Sequence, residues 1–76
     1  MSQKRGLLLI TFGRETDGRW IAEVKGLPGV LAYGKTRIDA RRKASAIALR
    51  TLADKAERGK THSAFNRIFE YGMARG

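Results

Sequence analysis

Seven carboxylates, one histidine and sixteen Lys or Arg side chains are the groups through which this 76-residue chain could do chemistry. Metal-assisted hydrolysis needs several carboxylates gathered around ions about 4 Å apart. The acids here are Glu15, Asp17, Glu23, Asp39, Asp54, Glu57 and Glu70. Glu15 and Asp17 fall in turn chemistry, Asp39 at a helix start, and Asp54 and Glu57 near that helix's end. Only Glu23 and Glu70 fall in strand-like stretches, so this spacing gathers no metal or catalytic cluster. His62 stands in a polar connector with no second histidine and no cysteine, and is expected to be solvent-exposed rather than a general base or ligand. Ser2, Ser45 and Ser63 lack a Ser–His–acid arrangement. Gly26-Leu27-Pro28-Gly29 lacks the lysine-bearing pattern of a phosphate loop and leads to a strand rather than a helix. The chain therefore reads as a binding protein without a cofactor rather than an enzyme.

The cations are more informative. They outnumber the acids to give a formal charge of +9, an excess that favours acidic partners: RNA, DNA, an anionic membrane surface or an acidic protein. Between Lys35 and Lys60 there are nine basic and three acidic residues, a net +6. Arg37, Arg41, Arg42, Lys43 and Arg50 lie outside or on the margin of that segment's apolar stripe, and are the candidate contacts for nucleic acid or an acidic partner. Phosphate contacts from such a face would be sequence-independent and strongly salt-sensitive. A solvated outer helix face is the plainer alternative.

These side chains must be positioned by a small set of elements. Leu7 to Phe12 is apolar on both faces and is expected to be a central strand. Asp17-Gly18 closes a turn. Arg19 to Val24 follows as a second strand, with Trp20, Ala22 and Val24 on one face and Ile21 and Glu23 on the other. Trp20 is expected in the core, with a partner hot spot as the alternative. Pro28 and Gly29 suit the two central positions of a type II turn. Val30, Leu31, Ala32 and Tyr33 then form a short third strand, whose edge is a candidate for pairing with a second copy. Thr36 can cap a helix running from about 36 to 58, with Asp39 as a capping-box acid and Gly59 as its C-cap. Ala40, Ala44, Ile47, Ala48, Thr51 and Leu52 make the buried stripe, and its alanines predict close approach to a sheet. Phe65 to Tyr71 fits a strand or a helix, and its aromatics and β-formers favour a strand. The expected fold is α+β in the order β-β-β-α-β: a three-stranded antiparallel meander, a fourth strand beside the first, and one helix packed on one face.

One domain, 1–76, is the count that this length supports. There is no cysteine for a disulfide framework. The longest apolar run, Leu7 to Ile10, is far below the ~20 residues of a membrane span, and the charged start is followed by no signal-peptide core. A cytoplasmic protein without membrane insertion is expected.

The run Asp17-Gly18-Arg19-Trp20-Ile21-Ala22-Glu23-Val24, then Leu27-Pro28-Gly29-Val30, then Tyr33-Gly34-Lys35-Thr36-Arg37-Ile38-Asp39-Ala40 resembles the HicB family of antitoxins. Ala48-Leu49-Arg50-Thr51-Leu52-Ala53-Asp54 is similar to the helix end of its short members. The resemblance covers roughly residues 7 to 60 and implies a partial RNase H-like fold. It also implies binding to a HicA-like toxin, a small messenger-RNA-cleaving ribonuclease, so as to block its site. Only 17 residues follow Gly59, room for one strand and a tail, so a separate DNA-binding segment is not expected. A homodimer is the favoured assembly, and a stand-alone RNA- or DNA-binding module is the alternative function.

Overall fold

The computed structural model describes residues 8–70 and 72–74. Three strands, β1 (Ile10–Arg14), β2 (Trp20–Val24) and β3 (Leu31–Gly34), precede a long helix α1 (Arg37–Glu57) and a single helical turn α2 (Phe65–Ile68). The strands form one antiparallel sheet in the order β1-β2-β3. Register pairs Phe12 with Ala22 and Ala22 with Ala32, so one row of side chains crosses the sheet towards α1.

Local chemistry explains most of these boundaries. In the β1–β2 hairpin, Glu15 N–H donates to Arg19 O at 2.8 Å and Gly18 N–H to Glu15 O at 2.9 Å. Between β2 and β3, Val30 N–H reaches Leu27 O at 3.1 Å across Pro28-Gly29. Gly29 takes φ 79°, the left-handed conformation that a type II turn demands at that position. Helix α1 starts where Thr36 Oγ1 accepts the Asp39 N–H at 3.0 Å. It ends in a Schellman motif: Lys60 N–H donates to Lys55 O at 2.8 Å and Gly59 N–H to Ala56 O at 3.1 Å, with Gly59 at φ 75°. Thr36→Ala removes the N-terminal cap and is expected to cost about 1 kcal/mol of stability. Thr36→Ser, which keeps the hydroxyl, should melt close to the parent in a thermal denaturation, and equal melting of all three proteins would reject the cap as a stabilising contact.

The core lies between the sheet and α1. Ala22, Val24, Leu27, Val30 and Ala32 meet Ala40, Ala44, Ala48 and Leu52, with Ile10, Phe12, Trp20, Ile47 and Phe65 packed around them. Alanine at three of the four buried helix positions has no bulk to hold the backbones apart, so the helix sits close over β2 and β3. Trp20 is half-buried on the same face, and the Arg14 guanidinium lies 4.9 Å from its ring centroid.

The structure corrects four expectations. Strand β1 stands at an edge of the sheet, not at its centre, and it runs through Gly13 to Arg14. Leu9 is consequently 64% exposed despite lying in the apolar run, and Leu7 lies outside the described residues. Phe65–Ile68 is helical, and no fourth strand forms among the described residues, Tyr71 lying outside them. The helical period wins there because Phe65, Ile68 and Phe69 fall on one side towards α1, around a cleft they share with Leu49, Leu52, Ala53 and Ala56. Val30 precedes β3 and is buried, its carbonyl accepting the Val24 N–H at 2.9 Å. Lastly, His62 is half-buried. Its Nδ1 accepts the Ala64 N–H at 3.0 Å, and its Nε2 lies 3.1 Å from Gly26 O. Both contacts are made by an imidazole with its hydrogen on Nε2, and they tie the connector to the β2–β3 turn.

Candidate functional site

The five candidate cations of α1 fall into two groups on opposite sides of the helix. Arg42, Lys43 and Arg50 line a groove of ≈ 380 Å³ whose other wall is strand β3, through Leu31, Ala32 and Tyr33. Ala46 and Ile47 form its floor. Arg37 and Arg41 border a smaller cleft of ≈ 230 Å³ with Phe12 and Ile38, towards β1. The Arg37 guanidinium lies 4.5 Å from the Phe12 ring centroid, a cation–π contact. The structure thus joins two sets of candidates, three helix cations and three strand residues, in one groove. It sends Arg37 and Arg41 elsewhere and places Val30 in the core.

Asp39 organises the head of the main groove. Its carboxylate accepts from Arg42 Nη2 at 2.7 Å and lies 3.2 Å from Lys43 Nζ, and it also receives the Lys35 N–H at 3.3 Å. The hydrogen bond from Arg42, then that from Lys43, holds this carboxyl below the ordinary carboxylate range despite an opposing desolvation effect. Because the folded value is the lower one, the stabilisation is complete above the ordinary carboxyl pKa of about 3.9 and is lost as pH falls through the folded value. A carboxyl-resolved NMR titration should therefore find Asp39 protonating below the ordinary aspartate range as acid is added. Arg42→Ala should move Asp39 back towards the ordinary value; an unmoved midpoint would reject the pairing.

Arg41 and Arg50 have no ion-pair partner among the described residues. The groove therefore presents three cations against one shared carboxylate. Helical spacing could have exposed it: Arg42 and Lys43, then Ala46 and Ile47, then Arg50 recur every three to four residues beside the buried stripe. Ile47 reads from sequence simply as part of the buried stripe, and Ala46 falls outside that stripe, so neither marks a groove.

Backbone polarity distinguishes this groove from an ordinary charged helix face. The bond from Val24 N–H to Val30 O belongs to the β2–β3 ladder. Bonded and non-bonded pairs alternate in an antiparallel ladder, and Ala22 opposes Ala32 while Glu23 opposes Leu31 and Ile21 opposes Tyr33. The peptide groups of Leu31 and Tyr33 consequently point away from β2, along the free edge. The sheet face opposite α1 carries Ile21, Glu23, Leu31 and Tyr33, and the Arg19 guanidinium lies 4.4 Å from the Tyr33 ring centroid.

The carboxylates are dispersed. Asp17 pairs with Arg19 at 2.8 Å, Glu23 with Lys25 at 3.3 Å and Asp54 with Arg58 at 3.2 Å. The backbone N–H of Arg19 is the main reason that the Asp17 carboxyl is also held below its ordinary value. Among the described residues no three His, Cys, Asp or Glu side chains come together as a metal-holding group. No helix among them is long and apolar enough to cross a membrane. Comparison with protein-family models, with curated proteins and with solved structures finds no match to this chain.

Proposed function

We propose that this chain is a HicB-like antitoxin-type binding protein that neutralises a small HicA-like ribonuclease toxin by docking on it, in the cytoplasm where messenger RNA is cleaved. The observation that carries this reading is the recognition surface formed by the free β3 edge and α1. It offers outward backbone groups, apolar lining and three cations in one groove, while Asp17, Glu23 and Asp54 stand apart in separate ion pairs. The residues that carry the family resemblance support it as well. Gly18, Pro28, Gly29, Gly34, Thr36 and Asp39 hold the turns and the cap that set β3 against α1. In this reading β1, β2, β3 and α1 are part of an RNase H-like arrangement whose fourth strand is not present among the described residues.

The test is stoichiometric inhibition. The purified chain, titrated into RNA cleavage by a ribonuclease encoded beside it, is expected to abolish cleavage near one equivalent and to co-elute with the enzyme. Undiminished cleavage at molar excess, with no complex on gel filtration, would reject this function.

A second reading rests on a different observation. Arg37 stacked on Phe12 with Arg41 beside it combines a ring with cations, which single-stranded nucleic acid uses for stacking and phosphate contact. That reading expects oligonucleotide binding that falls steeply with salt and is lost in Arg37→Glu combined with Arg41→Glu, the two cations of that cleft. Binding indifferent to both changes, or none, would dismiss it.

A further inference from the structure

We propose that the groove between β3 and α1 takes an extended, acidic segment of a partner protein, added as a new strand beside β3 with its carboxylates against Arg42, Lys43 and Arg50. This deepens the protein-binding reading above and rests on it for the class of partner, though not on that partner being a ribonuclease.

Three features of the groove select this occupant. The first is the edge itself. Leu31 and Tyr33 each turn an N–H and a C=O outward, two residues apart, which is the repeat that an added strand satisfies. Apart from its four-residue length, no protecting device marks this edge among the described residues: Leu31–Gly34 contains no proline, no lysine and no bulge, and its register with β2 is unbroken.

The second is spacing. Arg42 and Arg50 are eight residues apart on α1, about 12 Å along its axis. Two carboxylates four residues apart on one strand lie about 13 Å apart and point to the same face. A strand running beside β3 can therefore set one acid against Arg42 and Lys43 and another against Arg50, with a small apolar residue between them over Ala46 and Ile47.

The third is charge. Arg42 and Lys43 share one carboxylate, that of Asp39, and Arg50 has none among the described residues. A neutral or basic strand would strip water from these cations with nothing in return, which is costly. An acidic strand replaces that water with charge-assisted hydrogen bonds.

A second copy of this chain is the poorer occupant. Two β3 strands paired about a two-fold axis form one continuous sheet with both α1 helices on the same face. Arg42, Lys43 and Arg50 of each copy would then face their counterparts across the axis, and like charges so placed are unfavourable. RNA would satisfy the cations through its phosphates, but it does not carry the alternating N–H and C=O groups that pair in register with the outward peptide groups of Leu31 and Tyr33.

The test uses the full chain and a labelled peptide that alternates valine and threonine, with glutamate at every fourth position, followed by fluorescence anisotropy. Saturable binding is expected, and a peptide with lysine in place of glutamate should not bind. Arg42→Glu combined with Arg50→Glu should weaken binding by about tenfold or more. Leu31→Pro removes one outward N–H and leaves the β2 ladder intact, since proline is tolerated where the N–H faces away from the sheet. It should abolish binding, and so should N-methylation of alternate peptide residues, while circular dichroism shows Leu31→Pro still folded. No binding at millimolar peptide overturns the proposal, and so does binding that salt removes but Leu31→Pro and N-methylation do not. A uridine oligonucleotide that binds more tightly than the peptide, and loses affinity in the double charge reversal, assigns the groove to nucleic acid instead. A dimer in sedimentation that Leu31→Pro dissociates assigns it to a second copy. Peptide binding without inhibition of any neighbouring ribonuclease keeps the groove and removes the toxin. Inhibition that survives Leu31→Pro keeps the toxin and removes the groove as its docking site.

Discussion

Gly34→Ala is expected to lower the melting temperature by roughly 12–24 °C, the equivalent of about 3 kcal/mol in a domain of this size. Gly34 ends β3 directly beneath the first turn of α1. A Cβ built there would lie 2.9 Å from Ala40 Cα and 2.9 Å from the Asp39 carbonyl carbon, and would also press on the Ala40 nitrogen. All three are backbone atoms, so no side chain can swing aside. The helix start has to lift, and with it the fully buried Ala40 and the Thr36 cap. A 76-residue domain has a total stability of roughly 4–11 kcal/mol, so the loss is a large share of the whole. Gly29→Ala is the contrast. Its Cβ would meet open space, and only the left-handed backbone opposes it, at roughly 1–2 kcal/mol. Circular dichroism melts of the two variants distinguish crowding from backbone strain; a Gly34→Ala protein that melts like its parent would refute the close approach.

Leu27→Ala is expected to cost about 3 kcal/mol, within the usual range for a leucine truncated in a core that cannot collapse around the gap. Leu27 belongs to no strand or helix, yet it is 2% exposed and is the largest fully buried side chain among the described residues. Two turns hold its backbone: its N–H reaches Val24 O at 3.4 Å and its carbonyl accepts from Val30 N–H at 3.1 Å. The side chain therefore pins the β2–β3 connection to the core and, through it, the near end of β3. Urea unfolding should show the midpoint falling with little change in slope. Leu27→Met, which conserves volume, should lose less than about 1.5 kcal/mol. Amide exchange at Ala32, whose N–H faces β2, should also accelerate in Leu27→Ala, because loosening this anchor frees the β3 edge before the rest of the sheet opens. An unchanged midpoint would show that the loop leucine contributes nothing to the core.

The two substitutions act on the same arrangement from opposite ends. Leu27 anchors the start of β3 and Gly34 allows its end to meet α1. Between them lie Leu31 and Tyr33, whose outward peptide groups form the binding edge. The groove is thus a product of how tightly the sheet and helix close. The alanines at 40, 44 and 48 serve that closeness, leaving Arg42, Lys43 and Arg50 near enough to the strand to act with it.

Much of this was legible residue by residue. Alternation in Trp20 to Val24 marks which face of β2 is buried. Pro28-Gly29 marks a turn because one residue presets φ and the other accepts a positive value. Thr36, Asp39 and Gly59 mark both ends of α1, and the alanine stripe marks its buried side. Each of these signals depends on neighbours within one turn or one strand, so a linear reading captures it. The basic character of α1 was equally visible.

What lay beyond the sequence depends on contacts between distant segments. The all-apolar start of β1 fits an edge as well as a centre, since apolarity does not say which strands lie alongside. Phe65 to Phe69 satisfies both a strand and a helix period, and packing against Leu49, Leu52 and Ala56 decides for the helix. His62 meets Gly26 across 36 residues, and no local pattern marks such a pair. The division of the helix cations is of the same kind. Spacing places Arg37, Arg41, Arg42, Lys43 and Arg50 outside the core, but the angle at which α1 crosses the sheet decides which of them meet β3. By itself the sequence determined the elements, their caps and the sign of the surface charge, because these follow from local backbone preference and composition. Only the tertiary structure decided that three of those charges stand beside an open strand edge, because that requires the helix and the sheet to be in contact.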